Sequence, residues 1–221
     1  MSIQWKKEEI TAALFDMDGI LFDTEKLHLK FWKKVAEEEG ITLPPEFAPA
    51  MCGSSGKGSL EVIRRFYHTE DPQKIFDRKT AYYQETLSQE VPVKEGVPEI
   101  LSFFQQKGIK IAVASSSPLD RVRLYLEKTG LTPFFAAACS GSDLEHGKPA
   151  PDIFLKAAAM LGAPRGECFV FEDSFNGIRA AHAGGMHPMM VVDLLEPDDE
   201  MRKISDGIFY SMNEVRKCLL Q

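Results

Sequence analysis

The stretch LFDMDGILFDTEKLH, residues 14–28, holds four acidic side chains within ten positions. It begins inside the apolar run 12–15, which is typical of a buried strand. Carboxylates that crowd together at the end of such a strand repel one another unless a cation or another ligand lies among them. The stretch therefore indicates a binding site at the end of the first strand.

Downstream of residue 96, short β-type runs alternate with helical patterns. The predicted strands are 109–117, 134–140, 168–174, 189–193 and 207–210, and the predicted helices are 97–107, 119–129, 151–161 and 175–184. Glycines at 108, 130, 162 and 185 follow the helices as stop signals. This alternation predicts an α/β fold, a Rossmann-like parallel sheet with helices on both faces, to which 12–15 adds one more strand.

Residues 25–91 interrupt the alternation with helical patterns alone. The segment 25–39 is amphipathic, since Leu27, Phe31 and Val35 recur one turn apart. Two more helical stretches are predicted around 60–67 and 74–87. We therefore predict an α/β core domain from residues 1–24 and 92–221, and a small all-helical domain from residues 25–91 inserted after the first strand.

Composition excludes several classes of function. The net charge of −7 and the lack of a basic stripe argue against a nucleic-acid partner. No apolar segment has the length of a signal peptide or a membrane span, so a cytoplasmic protein without a membrane partner is expected. The four cysteines form no CxxC pair, which favours reduced thiols. A monomer is expected.

Polar side chains gather at the predicted strand ends. They are Asp16 and Asp18 after the first strand, Ser115 and Ser116 after IAVA, Lys148 in GKPAPDIF, and Glu172 and Asp173 after FVF. Ligands of an open α/β sheet bind outside the carboxyl ends of its strands, so these side chains should converge on one crevice. Carboxylates suit Mg²⁺, a strand-to-helix turn favours a phosphate, and a lysine attracts an anion.

Four segments resemble the motifs of the haloacid dehalogenase superfamily. They are DMDGILFDT (16–24), ASSS (114–117), GKPAPDIF (147–154) and FEDSFNGI (171–178). The chain is most similar to the β-phosphoglucomutase-like branch of sugar-phosphate phosphatases and phosphohexomutases. The likeness covers nearly the whole chain after residue 10, and the helical insert matches the cap domain of that branch.

The resemblance implies a role for each strand-end residue. Asp16 would be the nucleophile and Asp18 the general acid/base, while Ser115, Ser116 and Lys148 would bind the phosphate. Its magnesium ligands would be Asp16, the backbone carbonyl of Asp18, Glu172 and Asp173.

The helical insert offers candidates for substrate contact. His28 and Trp32 share a helical face, which either packs inside the insert or closes over the substrate. The loop CGSSGKGSL, residues 52–60, lacks the Gly-Lys-Ser/Thr order of a P-loop. The resemblance implies instead that this loop faces the substrate through Gly53 and Lys57. Lys79 is a further candidate contact, although a lysine on a helix is more commonly exposed.

The strand-end residues and the resemblance together predict a Mg²⁺-dependent phosphatase that acts on a small phosphorylated metabolite, with a sugar phosphate as the expected substrate, through an aspartyl-phosphate. The first alternative is a phosphohexomutase, but the mutases carry an arginine in the cap loop where this chain has Gly56. The second alternative is a dehalogenase of this fold. Such an enzyme lacks the second aspartate and needs no metal, so Asp18, Glu172 and Asp173 argue against it. The third alternative is a non-catalytic binding protein that kept the fold. Such a protein would be expected to have lost one of the essential groups, whereas this chain has all of them.

Overall fold

The computed structural model describes residues 10–52, 54 and 57–221. The chain divides into two compact units. One unit consists of the described residues up to Asp23 together with Pro92–Gln221, and the other is Thr24–Val91. The assignment of these units as a catalytic core and a cap stays a prediction.

The first unit is built on a parallel sheet, which confirms the predicted α/β fold. Its strands are β1 (Ala12–Phe15), β2 (Lys110–Ser115), β3 (Ala137–Ser140), β4 (Cys168–Glu172), β5 (His187–Val191) and β6 (Gly207–Phe209). The strand order is β3-β2-β1-β4-β5-β6, and all neighbours pair in parallel. β1 therefore lies in the middle of the sheet, with its carboxyl end between those of β2 and β4.

The helices follow the predicted alternation, with three additions. They are α1 (Thr24–Glu38), α2 (Phe47–Cys52), α3 (Lys57–Tyr67), α4 (Pro72–Gln89), α5 (Val97–Gln106), α6 (Leu119–Lys128), α7 (Asp152–Leu161), α8 (Phe175–Ala183), α9 (Asp199–Ile204) and α10 (Met212–Leu220). The sequence analysis did not predict α2, α9 or α10. Two of these are only six residues long, too short for apolar periodicity to stand out.

Both faces of β1 are buried, as a central parallel strand requires. Leu14 belongs to a core cluster with Phe154 of α7, and Phe15 stacks on Phe171 of β4 with ring centroids 4.7 Å apart. Phe104 of α5 meets the same Phe15 ring edge-on. This packing holds the strand rigidly, so the residues that follow Phe15 leave the sheet from a defined point.

The second unit is helical and has its own core. Its buried cluster consists of Trp32, Val35, Ala36, Phe47, Ile63, Tyr67 and Ile75. Phe31 and Val35 of the predicted apolar stripe are buried, and Leu27 is half-buried. None of the described helices is long and apolar enough to cross a membrane.

Candidate active site

Asp16 and Glu172 lie on either side of the Lys148 ammonium group at the carboxyl end of the sheet. Lys148 Nζ donates to Asp16 Oδ1 at 2.5 Å and to Glu172 Oε1 at 2.6 Å. The pairing of β1 with β4 sets this geometry, since the Asp16 N–H donates to the Phe171 carbonyl at 3.0 Å. All three side chains are at least nine-tenths buried. Charged groups this deeply buried persist when they compensate one another.

Asp173 completes a cluster of carboxylates. Ligand oxygens of Asp16, Glu172 and Asp173 lie within 4.8 Å of one another. Two glycines leave room for these groups: a Cβ on Gly19 would lie 2.3 Å from Asp173 Oδ2, and a Cβ on Gly177 would lie 1.7 Å from Glu172 Oε1. The second oxygen of Glu172 accepts the Ser174 N–H at 2.8 Å. Close packing thus positions the carboxylates side by side.

The electrostatics of the cluster favour a bound cation. Burial raises the pKa of Asp16, and the carboxylates of Glu172 and Asp18 raise it further, while Lys148 opposes them. Burial by itself would lower the pKa of Lys148, but Asp16 and Glu172 more than offset this, so the ammonium form is retained. Lys148 thus pairs with two of the three carboxylates of the cluster, Asp16 and Glu172. An all-oxygen donor set with excess negative charge fits a hard divalent cation such as Mg²⁺.

The predicted phosphate-binding residues lie at the end of β2. Ser115 is buried, and its hydroxyl accepts the N–H of Ser117 at 3.0 Å, whereas Ser116 is exposed. Ser117 Oγ in turn donates to Asp18 Oδ2 at 3.1 Å. The structure thereby brings the candidate acid/base next to the serine loop, while Asp16, Glu172 and Asp173 form the carboxylate cluster.

Three of the candidates from the insert meet inside the helical unit. Lys79 is only 3% exposed, and its Nζ lies 4.9 Å from the Trp32 ring centre and 5.0 Å from that of Tyr83. His28 stacks on Tyr83 with ring centroids 3.8 Å apart and is hydrogen-bonded to Lys79 through Nδ1. Trp32 is buried in the core cluster, which favours the packing interpretation of its face. The common expectation of an exposed lysine does not hold for Lys79.

The loop of the insert is described only in part. Lys57 begins α3 and is exposed. Gly53 and Gly56 lie outside the described residues, so the predicted contact at the first and the mutase comparison at the second stay predictions.

Some residues of the site region were not assigned from the sequence. Ser117 and Ser140 support the Asp18 side of the site. Lys94 donates to the Gly19 carbonyl at 2.7 Å and to Asp193 Oδ1 at 2.6 Å. The burial of Lys79, which the sequence analysis names as a candidate contact, could also have been predicted, because Lys79 occupies the apolar stripe of α4 between Ile75 and Tyr83. The other contacts join distant segments and leave no local pattern.

Comparisons with known proteins agree with this geometry. A family model described as a haloacid dehalogenase-like hydrolase matches residues 10–185. A β-phosphoglucomutase of Bacillus subtilis (strain 168) is 33% identical over 200 residues, which cover 83% of this chain and 88% of that protein. A fructose-1-phosphate phosphatase of Escherichia coli (strain K12) is 31% identical over 180 residues, covering 81% and 95%. The crystal structure of a haloacid dehalogenase family hydrolase from Deinococcus radiodurans, with bound phosphate and sodium, has a TM-score of 0.81 at 28% identity, covering 96% of this chain and 95% of that one.

Proposed function

The chain belongs to the haloacid dehalogenase-like hydrolases, and we propose that it is a Mg²⁺-dependent phosphatase acting on a small phosphorylated metabolite, specifically a sugar phosphate. The observation that carries this proposal is the buried Lys148 ammonium between Asp16 and Glu172, with Asp173 completing the cluster. A nucleophilic carboxylate, a cation beside it and a metal-binding cluster are the groups that phosphoryl transfer needs.

In the first half of the reaction, an Asp16 carboxylate oxygen attacks the phosphorus and the bond from phosphorus to the sugar oxygen breaks. Asp18 donates its proton to that leaving oxygen, and the product is an aspartyl-phosphate. Lys148 and the buried Ser115 would hold the phosphoryl oxygens as their charge develops. Bound at Asp16, the Asp18 carbonyl, Glu172 and Asp173, Mg²⁺ would supply positive charge that offsets repulsion between the carboxylate and the phosphate.

In the second half, Asp18 is a carboxylate and takes a proton from water. The water oxygen attacks the phosphorus, and the bond to Asp16 breaks. The products are inorganic phosphate and the free Asp16 carboxylate, while the proton stays on Asp18 for the next turnover. A general acid/base of this kind contributes about 10²- to 10⁴-fold to the rate.

We also propose that residues 25–91 form a cap that supplies substrate contacts from His28, Lys79, Gly53 and Lys57. The burial of Lys79 beside His28 supports this role, because a buried ammonium group is stabilised by an anion such as a phosphate. A sugar phosphate is favoured because the Escherichia coli relative is a fructose-1-phosphate phosphatase. We propose a cytoplasmic monomer whose partner is this metabolite.

A second candidate function is a phosphohexomutase, which the 33% identity to the Bacillus subtilis β-phosphoglucomutase favours. A mutase would return the phosphoryl group from Asp16 to a second hydroxyl of the sugar instead of to water. The sugar bound at that stage already carries another phosphate, so a mutase would need a residue that binds this second phosphate. Lys57 is the candidate.

The test is to incubate the purified protein with a panel of sugar phosphates, including isomers of glucose 1-phosphate with and without a trace of the bisphosphate. Phosphate release and isomer conversion are followed together, with Mg²⁺ and with EDTA. Asp16→Asn should abolish the reaction, and Asp120→Asn, at an exposed aspartate of α6, should not. Isomer conversion without net phosphate release would establish the mutase. An inactive protein across the panel would contradict both candidates.

A further inference from the structure

We infer that Ser117, held in place by Ser140, is a positioning residue that orients the Asp18 carboxyl for proton transfer to the leaving group. This inference rests on the proposed function, in which Asp18 is the general acid/base. It concerns the loop that follows β2 and the end of β3, which lie on the opposite side of β1 in the sheet from β4, the strand that carries Glu172.

Ser117 is fixed through three of its polar groups. Its hydroxyl donates to Asp18 Oδ2 at 3.1 Å, and its backbone N–H donates to Ser115 Oγ at 3.0 Å. Its backbone carbonyl accepts the Ser140 hydroxyl at 2.8 Å. With the backbone held on both sides, the hydroxyl reaches Asp18 from a defined position. This is the arrangement expected of a residue that orients another.

Ser140 is the support behind Ser117. It is the last residue of β3 and is 1% exposed. Its hydroxyl lies 2.6 Å from Ser142 Oγ and accepts the Ser142 N–H at 3.0 Å. A hydroxyl has one hydrogen, and Ser140 uses it on the Ser117 carbonyl, so the Ser142 hydroxyl must be the donor to Ser140. The hydrogen bonds therefore run in one direction, from Ser142 through Ser140 to Ser117.

The end of β3 also packs tightly on the serine loop. A Cβ placed on Gly141 would lie 3.3 Å from the Cα of Ser116 and 3.7 Å from the Ser115 carbonyl oxygen. The two backbones thus approach without a side chain between them. Edge strand β3, which carries none of the predicted catalytic residues, thereby sets the position of a group that contacts Asp18.

Orientation of an acid matters in proportion to how much the leaving group needs its proton. A sugar alkoxide is a poor leaving group and must be protonated as its bond to phosphorus breaks. p-Nitrophenolate leaves readily without a proton. Loss of the Ser117 hydroxyl should therefore damage hydrolysis of a sugar phosphate far more than hydrolysis of p-nitrophenyl phosphate, a selectivity that general damage to the fold would not produce.

The test compares kcat/KM of Ser117→Ala and the unmodified protein on p-nitrophenyl phosphate, phenyl phosphate and the best sugar phosphate. The ratio kcat/KM reports steps only up to release of the alcohol, so hydrolysis of the aspartyl-phosphate does not enter. The loss should be about 10-fold larger on the sugar phosphate than on p-nitrophenyl phosphate, with phenyl phosphate nearer the sugar. Ser117→Thr, which keeps a hydroxyl, should recover most of the loss.

Three further variants separate positioning from other effects. Asp18→Asn should show the same dependence on the leaving group with a larger amplitude. Ser140→Ala should show it with a smaller amplitude, and combining it with Ser117→Ala should add little, because Ser140 acts through Ser117. Ser102→Ala is the control, because its hydroxyl is exposed on α5 and donates to the Pro98 carbonyl. It should leave kcat/KM unchanged on all three substrates. Thermal melting of each variant checks the fold.

An equal loss on all substrates, or no loss, in Ser117→Ala would overturn the inference while leaving the phosphatase proposal intact. An unmodified protein that releases phosphate from none of the substrates would overturn the proposed function, and the inference with it. If Asp18→Asn lacks the dependence on the leaving group, Asp18 is not the acid and Ser117 does not position one.

Discussion

Gly19 packs directly against Asp173: a Cβ on Gly19 would lie 2.3 Å from Oδ2 and 2.7 Å from Cγ of that carboxylate. Gly19 also has a φ of +77°, a backbone conformation that residues other than glycine rarely adopt. The loop that follows the proposed nucleophile therefore depends on a missing side chain to admit a proposed metal ligand.

The first prediction concerns Gly19→Ala. The new methyl group should push Asp173 out of the carboxylate cluster, weakening Mg²⁺ binding and lowering kcat/KM by roughly 10-fold or more. Gly130→Ala is a matched control, because Gly130 has a φ of +69° and nothing within 4 Å of its Cβ position. Both variants should lose about 1–2 kcal/mol of unfolding free energy from backbone strain. Titration calorimetry with Mg²⁺ should separate them, and equal Mg²⁺ affinities would contradict the prediction.

The second prediction concerns Lys148→Met. Removing the ammonium leaves the Asp16 and Glu172 carboxylates without their compensating charge, so Mg²⁺ should bind more tightly. Turnover should nevertheless fall by about 10²- to 10³-fold, since the cation at the transferring phosphoryl group is gone. Calorimetry and steady-state kinetics measure the two effects. Lys107→Met, at an exposed lysine past the end of α5, is the control and should change neither Mg²⁺ affinity nor turnover. Weaker Mg²⁺ binding in Lys148→Met would contradict the role of Lys148 as the charge that compensates Asp16 and Glu172.

The third prediction concerns pH and His187. Its Nδ1 bonds Asp206 Oδ2 at 2.6 Å and its Nε2 bonds the Gly166 carbonyl at 2.9 Å. The hydrogen bond to Asp206 raises the pKa of His187, the Gly166 carbonyl adds to this, and burial opposes it. The pKa of His187 is therefore higher in the folded protein than its unfolded value of about 6.5. The stability that protonated His187 contributes is complete below about pH 6.5 and is lost as the pH rises through the folded pKa.

The measurement is urea unfolding of the unmodified protein and of His187→Gln from pH 5 to about 9. The difference in unfolding free energy should be largest at the acid end, on the order of 0.5 kcal/mol after solvent screening, and should shrink as pH rises. Asp206→Asn should remove most of this dependence on pH. His182→Gln, at an exposed histidine of α8, serves as the control, and a difference that grows with pH would reverse the sign derived above.

The fourth prediction concerns Lys79→Met in the helical unit. Methionine fills a similar volume among Trp32 and Tyr83 but cannot make the hydrogen bond to His28, so the melting temperature should fall slightly. If the Lys79 charge contacts the substrate, as proposed, KM for the sugar phosphate should rise about 10-fold. Lys34→Met is the matched control, because Lys34 lies over the Tyr82 ring at 3.5 Å in the same unit. An unchanged KM would assign Lys79 to structure alone.

Local patterns in the sequence were sufficient to predict a parallel sheet and the approximate positions of its strands. A buried strand needs a short apolar run, and a helix end accepts a glycine in the left-handed conformation, which Gly108, Gly130, Gly162 and Gly185 all adopt. These requirements are met within a few residues, so they can be recognised without any knowledge of the rest of the chain. The same holds for the acidic pair Asp16 and Asp18 at the end of β1.

Contacts between distant segments were decided only by the tertiary structure. The sequence places Lys148 and Asp16 132 residues apart, and their hydrogen bond exists because parallel strands bring their carboxyl ends to one edge of the sheet. Ser140 reaches Ser117 because β3 pairs with β2, and neither residue carries a local mark of that contact. The chain itself thus determined the strands, the helix ends and the chemical groups of the site. Packing alone decided which hydroxyl reaches Asp18 and placed Lys148 between Asp16 and Glu172. These contacts depend on side chains that meet only after the strands and helices have come together.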